Sequence, residues 1–236
     1  MTAQNLSLYL TAEHPCGYYE ERMASNLVPD PHVPMNASLY SLLVSKGFRR
    51  SGGFVYRPYC RKCSACVPVR IDIASFQPNR NQRRCLKANQ GIVTRIRKAA
   101  YTEEYFDLYA RYLNTRHQDG GMANPTEEDF RHFLLCDWAD TWFIESRLDG
   151  ELVCVAVSDH VMSGFSAVYT FFDPALSRNS LGTFAVLQQV WLAQVYNRPY
   201  VYLGYWIKNH PKMDYKTRFS ALEAFQGQGW HPHREA

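Results

Sequence analysis

The stretch Thr141–Trp206, TWFIESRLDGELVCVAVSDHVMSGFSAVYTFFDPALSRNSLGTFAVLQQVWLAQVYNRPYVYLGYW, decides the fold. Thr141 to Leu148 and Leu152 to His160 are apolar-rich runs joined by Asp149-Gly150, a dipeptide that readily takes the positive φ angles of a tight hairpin. Ser166 to Phe172 adds a third strand ending at Asp173-Pro174. Asn179-Ser-Leu-Gly-Thr183 then leads into a helix that runs to about Tyr196 and stops before Pro199, whose ring restricts the residue preceding it. Val201 to Trp206 is a further strand.

Working outward, Ile92, Thr94 and Ile96 alternate with Val93, Arg95 and Arg97 as in a strand. Thr102-Glu-Glu and Thr126-Glu-Glu each open an amphipathic helix, a hydroxyl cap followed by acids that complement the helix dipole. Residues 1–90 are rich in Pro, Gly, Arg and Cys, with a short helix near Ser38 to Lys46. Two units are therefore expected, a basic cysteine-rich domain over 1–90 and a regular domain over 91–236. The order strand, helix, helix, three antiparallel strands, helix, strand resembles the GCN5-type N-acetyltransferases. The expected fold class is α+β, a GCN5-type N-acetyltransferase-like acyltransferase domain preceded by a small cysteine-containing basic domain.

Composition sets bounds on function. At 236 residues, 46% hydrophobic and 20% charged, the chain is an ordinary folded protein. Its longest apolar runs fall well short of the roughly 20 residues of a membrane span, and Met1 to Leu10 do not read as a secretory signal, so a cytoplasmic location and no membrane partner are expected. The net charge of +4 conceals a segregation: Pro31–Thr102 holds fourteen Lys or Arg against Asp72 alone, a local +13, which leaves the rest at −9. Such a block points to a polyanion, and nucleic acid is the first choice. Arg80, Arg83, Arg84 and Lys87 recur at spacings of three and four, one face of a helix if that stretch is helical, and would track phosphates.

Cys60, Cys63 and Cys66 form C-x-x-C-x-x-C, and Cys16 lies upstream. In a cytosolic chain such spacing suggests metal rather than disulfides. Four thiols complete the set that zinc prefers, and the tight triple is also compatible with an iron–sulfur cluster. Either centre would be structural.

Gly47-Phe-Arg-Arg-Ser-Gly52, Tyr56-Arg-Pro-Tyr-Cys60, Cys63-Ser-Ala-Cys66-Val-Pro-Val-Arg70, Pro78-Asn-Arg80-Asn-Gln-Arg-Arg84, Ser180-Leu-Gly-Thr183, Tyr202-Leu-Gly-Tyr-Trp-Ile207 and Lys212-Met-Asp-Tyr-Lys216 closely resemble, in order, the bacterial aspartate/glutamate leucyltransferases. These are leucyl-tRNA–protein transferases related to the eukaryotic arginyl-tRNA–protein transferases. The resemblance implies transfer of leucine from aminoacyl-tRNA to the N-terminal Asp or Glu of a protein, creating an N-degron for proteolysis. Two departures stand out: Cys16-Gly-Tyr-Tyr19 offers one cysteine where the eukaryotic relatives pair two, and Phe219-Ser-Ala-Leu-Glu223 replaces a proline-containing tail motif.

The chemistry demands little of the protein. An α-amine with a pKa of about 7.7 to 8.0 is partly neutral at cellular pH, and the aminoacyl ester is activated. Positioning supplies much of the acceleration. An acidic acceptor side chain calls for a guanidinium, so Arg49 and Arg50 come first, with Ser51 beside them and Lys216 next. Tyr205, Trp206 and Tyr215 suit the terminal adenosine or the aminoacyl group. Ser180, Gly182 and Thr183 open the helix whose N-terminus would face the acyl donor; that loop has one glycine fewer than the CoA-binding pattern, so no CoA is expected. No catalytic residue is assigned; Asp173, Tyr205 and Lys216 are the candidates. The alternatives are arginine as the donated amino acid, a CoA-dependent N-acetyltransferase, and a non-catalytic zinc module that binds RNA.

Overall fold

The computed structural model describes residues 6–116 and 123–233. Proline, glycine and polar residues keep the first strands short: β1 (Leu8–Leu10), β2 (His14–Pro15), β3 (Met23–Ala24) and β4 (Asn26–Pro29). Helix α1 (Ala37–Ser45) begins where the Asn36 side chain accepts from the Leu39 N–H at 2.9 Å. Strands β5 (Arg49–Ser51) and β6 (Phe54–Pro58) turn back across Gly52-Gly53, and β1-β4-β6-β5 is a small antiparallel sheet. Gly52 is required there, since it sits at φ +57° and a Cβ would lie 2.2 Å from the His132 carbonyl oxygen.

The remaining strands and α-helices are β7 (Val67–Asp72), α2 (Arg80–Ala88), β8 (Ile92–Lys98), α3 (Glu103–Arg116), α4 (Glu127–Leu134), β9 (Thr141–Leu148), β10 (Glu151–Val161), β11 (Gly164–Phe172), α5 (Leu181–Val195), β12 (Tyr200–Trp206), β13 (Leu222–Gln226) and β14 (Gly229–Pro232). Asp149 and Gly150 make the tight turn between β9 and β10 at φ +51° and +90°. Helices α2 and α4 start on reciprocal capping pairs, Asn79 with Gln82 and Thr126 with Asp129.

Eight strands form one mixed sheet in the order β14-β13-β7-β12-β11-β10-β9-β8. Helix α5 connects β11 to β12, which run parallel, as a helical crossover allows. Its Leu181, Phe184, Leu187 and Val190 pack with Val69, Ile71 and Val201 on one face of the sheet, and Cys85 of α2 joins them. On the other face Leu108, Tyr109, Phe130 and Leu134 of α3 and α4 cover Phe143, Val155 and Phe171. A third cluster joins α1 to the small sheet through Tyr40, Leu43, Val44 and Val55. Among the described residues no helix is long and apolar enough to cross a membrane.

The expected break near residue 90 is corrected by the topology. Strand β7 lies inside the large sheet between β12 and β13, and α2 packs on the α5 face, so residues 67–88 belong to the same layers as the C-terminal part. Pairings separated by more than 100 residues leave no local mark in the sequence. Near the C-terminal end His231 is in β14 opposite Ala224, and the His233 ring lies 4.7 Å from that of Trp206.

Candidate active site

Strands β11 and β12 are paired only over Gly164–Ser166 and Tyr200–Tyr202. Beyond that they part, β11 staying with β10 and β12 with β7. Both are irregular where they separate. On β11 the register shifts so that Val168 has no partner across from β10, and on β12 the shift falls between Tyr202 and Gly204. Bulges of this kind free backbone groups from the ladder and re-aim side chains.

Arg49 occupies the opening. Its Nη2 donates to the Val168 carbonyl at 2.9 Å, and a Cβ on Gly204 would come within 3.1 Å of its Nη1. The guanidinium thus spans both irregular strands, and Gly204, at φ +72°, leaves room for it. Its Nε is buried without a hydrogen-bond partner, and among the described residues no carboxylate pairs with it. A buried cation lacking an anion is costly unless a ligand supplies one.

The neighbouring Arg50 points the other way, because successive strand residues face opposite sides. Its Nε and Nη2 donate to the two oxygens of Asp159 at 2.6 and 2.8 Å, Nη1 donates to the Gly52 carbonyl, and Nη2 also reaches Thr141 Oγ1 and the Leu134 carbonyl. Tyr40 and Thr141 hydroxyls complete the carboxylate at 2.8 and 2.7 Å. Both side chains are fully buried. Arg50 was expected beside Arg49 at the substrate; its donors are instead consumed by the core, where it anchors β5. An acid in the apolar run Val155–Val161 was the available signal, since a buried carboxylate requires a cation.

A cavity of about 530 Å³ lies next to this opening, lined by Ser51, Tyr56 and Tyr205 on one side and by Tyr18, Arg22 and the four cysteines on another. Among the described residues no Asp or Glu lines it. Tyr205 is buried, and its hydroxyl donates to the Tyr56 carbonyl at 2.9 Å. Its ring centre is 6.0 Å from Arg49 Cζ, so the guanidinium lies close to this wall of the cavity. Burial raises the Tyr18 hydroxyl to about 12. Lys216 is buried with Nζ donating to the Tyr205 carbonyl and lying 3.2 Å from Met213 Sδ. Burial and then the Arg49 charge lower its pKa to about 7, while Cys66 opposes them. Tyr215 is partly exposed beside it, and the Trp206 indole donates to Asp214 at 3.0 Å.

The residues expected to face the acyl donor follow the end of β11. Ser180 takes a left-handed conformation, φ +52°, and precedes α5 without a side-chain cap; Gly182 is close to the Phe172 ring; the Thr183 N–H donates to the Ser180 carbonyl. Asp173 is occupied, capping Ala175 and pairing with Arg111 at 3.3 Å. Helix α2 is fastened to this loop: the Asn89 amide donates to the Asn179 carbonyl at 2.7 Å, Asn179 returns a bond to the Asn89 side chain at 2.9 Å, and the Cys85 thiol faces both the Asn179 and Ser180 carbonyls. Arg80, Arg83, Arg84 and Lys87 are exposed on the opposite side of α2.

Cys16, Cys60, Cys63 and Cys66 all line the cavity. Burial, then the proximity of the other three, raises the Cys66 thiol to about 12. Cys63 goes the other way, lowered by the Ala65 backbone and by Arg22, whose Nη1 donates to its sulfur at 3.3 Å. The donor chemistry suits zinc or an iron–sulfur cluster, but the thiols do not converge: the Cys60 sulfur faces the Ser25 carbonyl, and no three ligating side chains among the described residues are arranged for a metal ion.

Residues 14–84 and 104–226 match the family models for the N terminus and the C terminus of arginine-tRNA-protein transferase. Curated proteins named aspartate/glutamate leucyltransferase are 50% identical in Stenotrophomonas maltophilia strain R551-3, over 96% of this chain and 92% of that one. The chain belongs to the aspartate/glutamate leucyltransferase family. Members from Xylella fastidiosa strain M12 and Pseudomonas putida strain F1 are each 48% identical, the first over 97% of this chain and 92% of its own, the second over 95% and 96%. Among solved structures, L-PGS from Bacillus licheniformis is similar at 9% identity and a TM-score of 0.47, covering 75% of this chain and 52% of that one. The family match spans both the cysteine-rich region and the large sheet, the two halves that the Arg49 contacts join.

Proposed function

We propose that this chain transfers leucine from leucyl-tRNA to the α-amine of proteins beginning with Asp or Glu, on a sheet of the GCN5-type acyltransferase kind, marking those proteins as N-degrons. The observation that carries this reading is Arg49, a partly buried guanidinium with a buried, unpartnered Nε and no acid paired to it among the described residues, held between two parting strands and beside a cavity with no carboxylate among its described lining. The side chain of an acceptor Asp or Glu supplies the missing anion, with charge-assisted hydrogen bonds that an amide cannot match. The aminoacyl end of the tRNA then lies along the opening toward Ser180, Gly182 and Thr183, and Arg80, Arg83, Arg84 and Lys87 contact its phosphates.

In the reaction the acceptor amine, having lost a proton to solvent, attacks the ester carbonyl. A C–N bond forms, the C–O bond to the tRNA breaks, and the ribose hydroxyl leaves with a proton. The protein's contribution is to hold amine and ester together. Family membership supports the donor and acceptor named here. We further propose that Cys16, Cys60, Cys63 and Cys66 draw together around a structural zinc or iron–sulfur centre beside the cavity; no reaction step depends on it. Incubation with a pool of charged tRNAs and an Asp-starting peptide, followed by mass measurement, tests the function. A product longer by one leucine is expected; extension by arginine would change the donor, and no extension would refute the reading.

A further inference from the structure

The cations of α2 are not the last in the basic block. Three residues after α2 ends, the chain enters β8, the edge of the large sheet, and no acid occurs between Asp72 and Glu103. Strand alternation divides β8 into two faces. Ile92 and Ile96 pack on the α5 side, the side that carries α2, while Val93, Arg95 and Arg97 stand on the face that carries α3.

Helix α3 does not cover the edge of that face. A groove of about 620 Å³ remains between β8, β9 and α3, and Arg95, Arg97, Arg147, Tyr105 and Glu145 are among its lining. Glu145 is buried and accepts from the Tyr105 hydroxyl at 2.9 Å; Arg147 approaches it at 3.4 Å and Arg97 at 3.6 Å. Arg147 is committed, with both Nη groups on Glu104 and Nη1 also on the Gly150 carbonyl. Among the described residues Arg97 has only its long ion-pair contact to Glu145 and is half exposed, Arg95 is exposed with no acid paired to it, and Lys98 follows at the strand end. An exposed edge strand is commonly charged to prevent association. Here the cations go further, lining a concave groove floored by a carboxylate that already has its partners.

We propose that this groove is a second phosphate-contact site for the aminoacyl-tRNA, so that the tRNA backbone is held from both sides of the sheet edge, by α2 on one and by Arg95 and Arg97 on the other. The inference rests on the tRNA reading above. It adds residues outside the α2 helix and predicts a larger electrostatic footprint than α2 alone provides. Each neutralised phosphate contributes roughly 0.7 to 0.9 to the slope of log affinity against log salt.

The test is fluorescence anisotropy of labelled tRNA at several salt concentrations with wild type, R95A/R97A, R83A/R84A and the quadruple variant. All changed side chains are exposed, and thermal melts report whether each variant is folded. For R95A/R97A the slope should fall by roughly 1.4 to 1.8, and the quadruple variant should lose about twice that. An unchanged slope for R95A/R97A alongside a reduced slope for R83A/R84A would overturn this proposal and leave the tRNA reading standing. A wild-type protein that binds no tRNA would overturn both.

Discussion

Arg49 and Arg50 are adjacent, identical in type and both mostly enclosed, yet the structure gives them opposite energetic roles. Arg50→Met leaves the Asp159 carboxylate with only the Tyr40 and Thr141 hydroxyls, at 1% side-chain exposure. Removing one partner of a buried pair costs about 3–5 kcal/mol. For a domain of this size ~1 kcal/mol corresponds to about 2–4 °C, so Tm should fall by roughly 6–20 °C. Adding Asp159→Leu to Arg50→Met should recover much of that loss, because the stranded charge is gone. Arg49→Met forfeits one hydrogen bond, to Val168, worth about 1 kcal/mol. It also relieves a partly buried cation with no paired acid among the described residues, so its Tm should stay within a few degrees of wild type. Differential scanning calorimetry of the four proteins checks this. Equal destabilisation by the two single variants would mean that Arg49 is a structural arginine like its neighbour, and the reasoning about the open site would fail.

Other outcomes follow from the same contacts. Gly204→Ala forces a side chain into a left-handed conformation, a cost of about 1–2 kcal/mol, and presses on Arg49 Nη1; steady-state kinetics should show KM for the acceptor peptide rising by more than the stability loss explains. Arg83→Ala and Arg84→Ala should each lower the salt slope of tRNA binding by roughly 0.7 to 0.9, by similar amounts for tRNAs of different sequence. Protein purified without oxygen should contain about one zinc or about four irons with sulfide per chain, and Cys63→Ser should lower both metal content and Tm; a metal-free protein with wild-type Tm and activity would contradict the proposed centre.

The centre of the large sheet was legible because its signals are local. Asp149-Gly150 fixes a hairpin, the threonine-acid pairs start α3 and α4, and the spacing of Arg80, Arg83, Arg84 and Lys87 describes the exposed face of the helix observed. The place of β7 was not legible. From the sequence Val67–Asp72 is assigned no element of its own, and only its pairings with β12 and β13 put it in the large sheet. The site was half legible for a similar reason. Two consecutive arginines must face opposite ways in a strand, but which one faces the opening depends on where β5 meets β11. Gly204 inside an otherwise apolar strand is a signal that could have been read as a close approach, but what approaches it lies more than 150 residues away. Cys85 and Asn89 fasten α2 to the loop before α5, and no local pattern announces a contact of that range.

The central claim is that Arg49 reads the acidic first residue of the acceptor, and it is tested most directly by comparing kcat/KM for peptides that begin with Asp or Asn and are otherwise identical, using wild type and Arg49→Gln. Loss of a buried charge pair is worth about 2–5 kcal/mol, so wild type should prefer Asp by a factor of roughly 30 or more. With Arg49→Gln that preference should collapse toward one while Tm is retained. A variant that still prefers Asp by the wild-type factor would contradict the account.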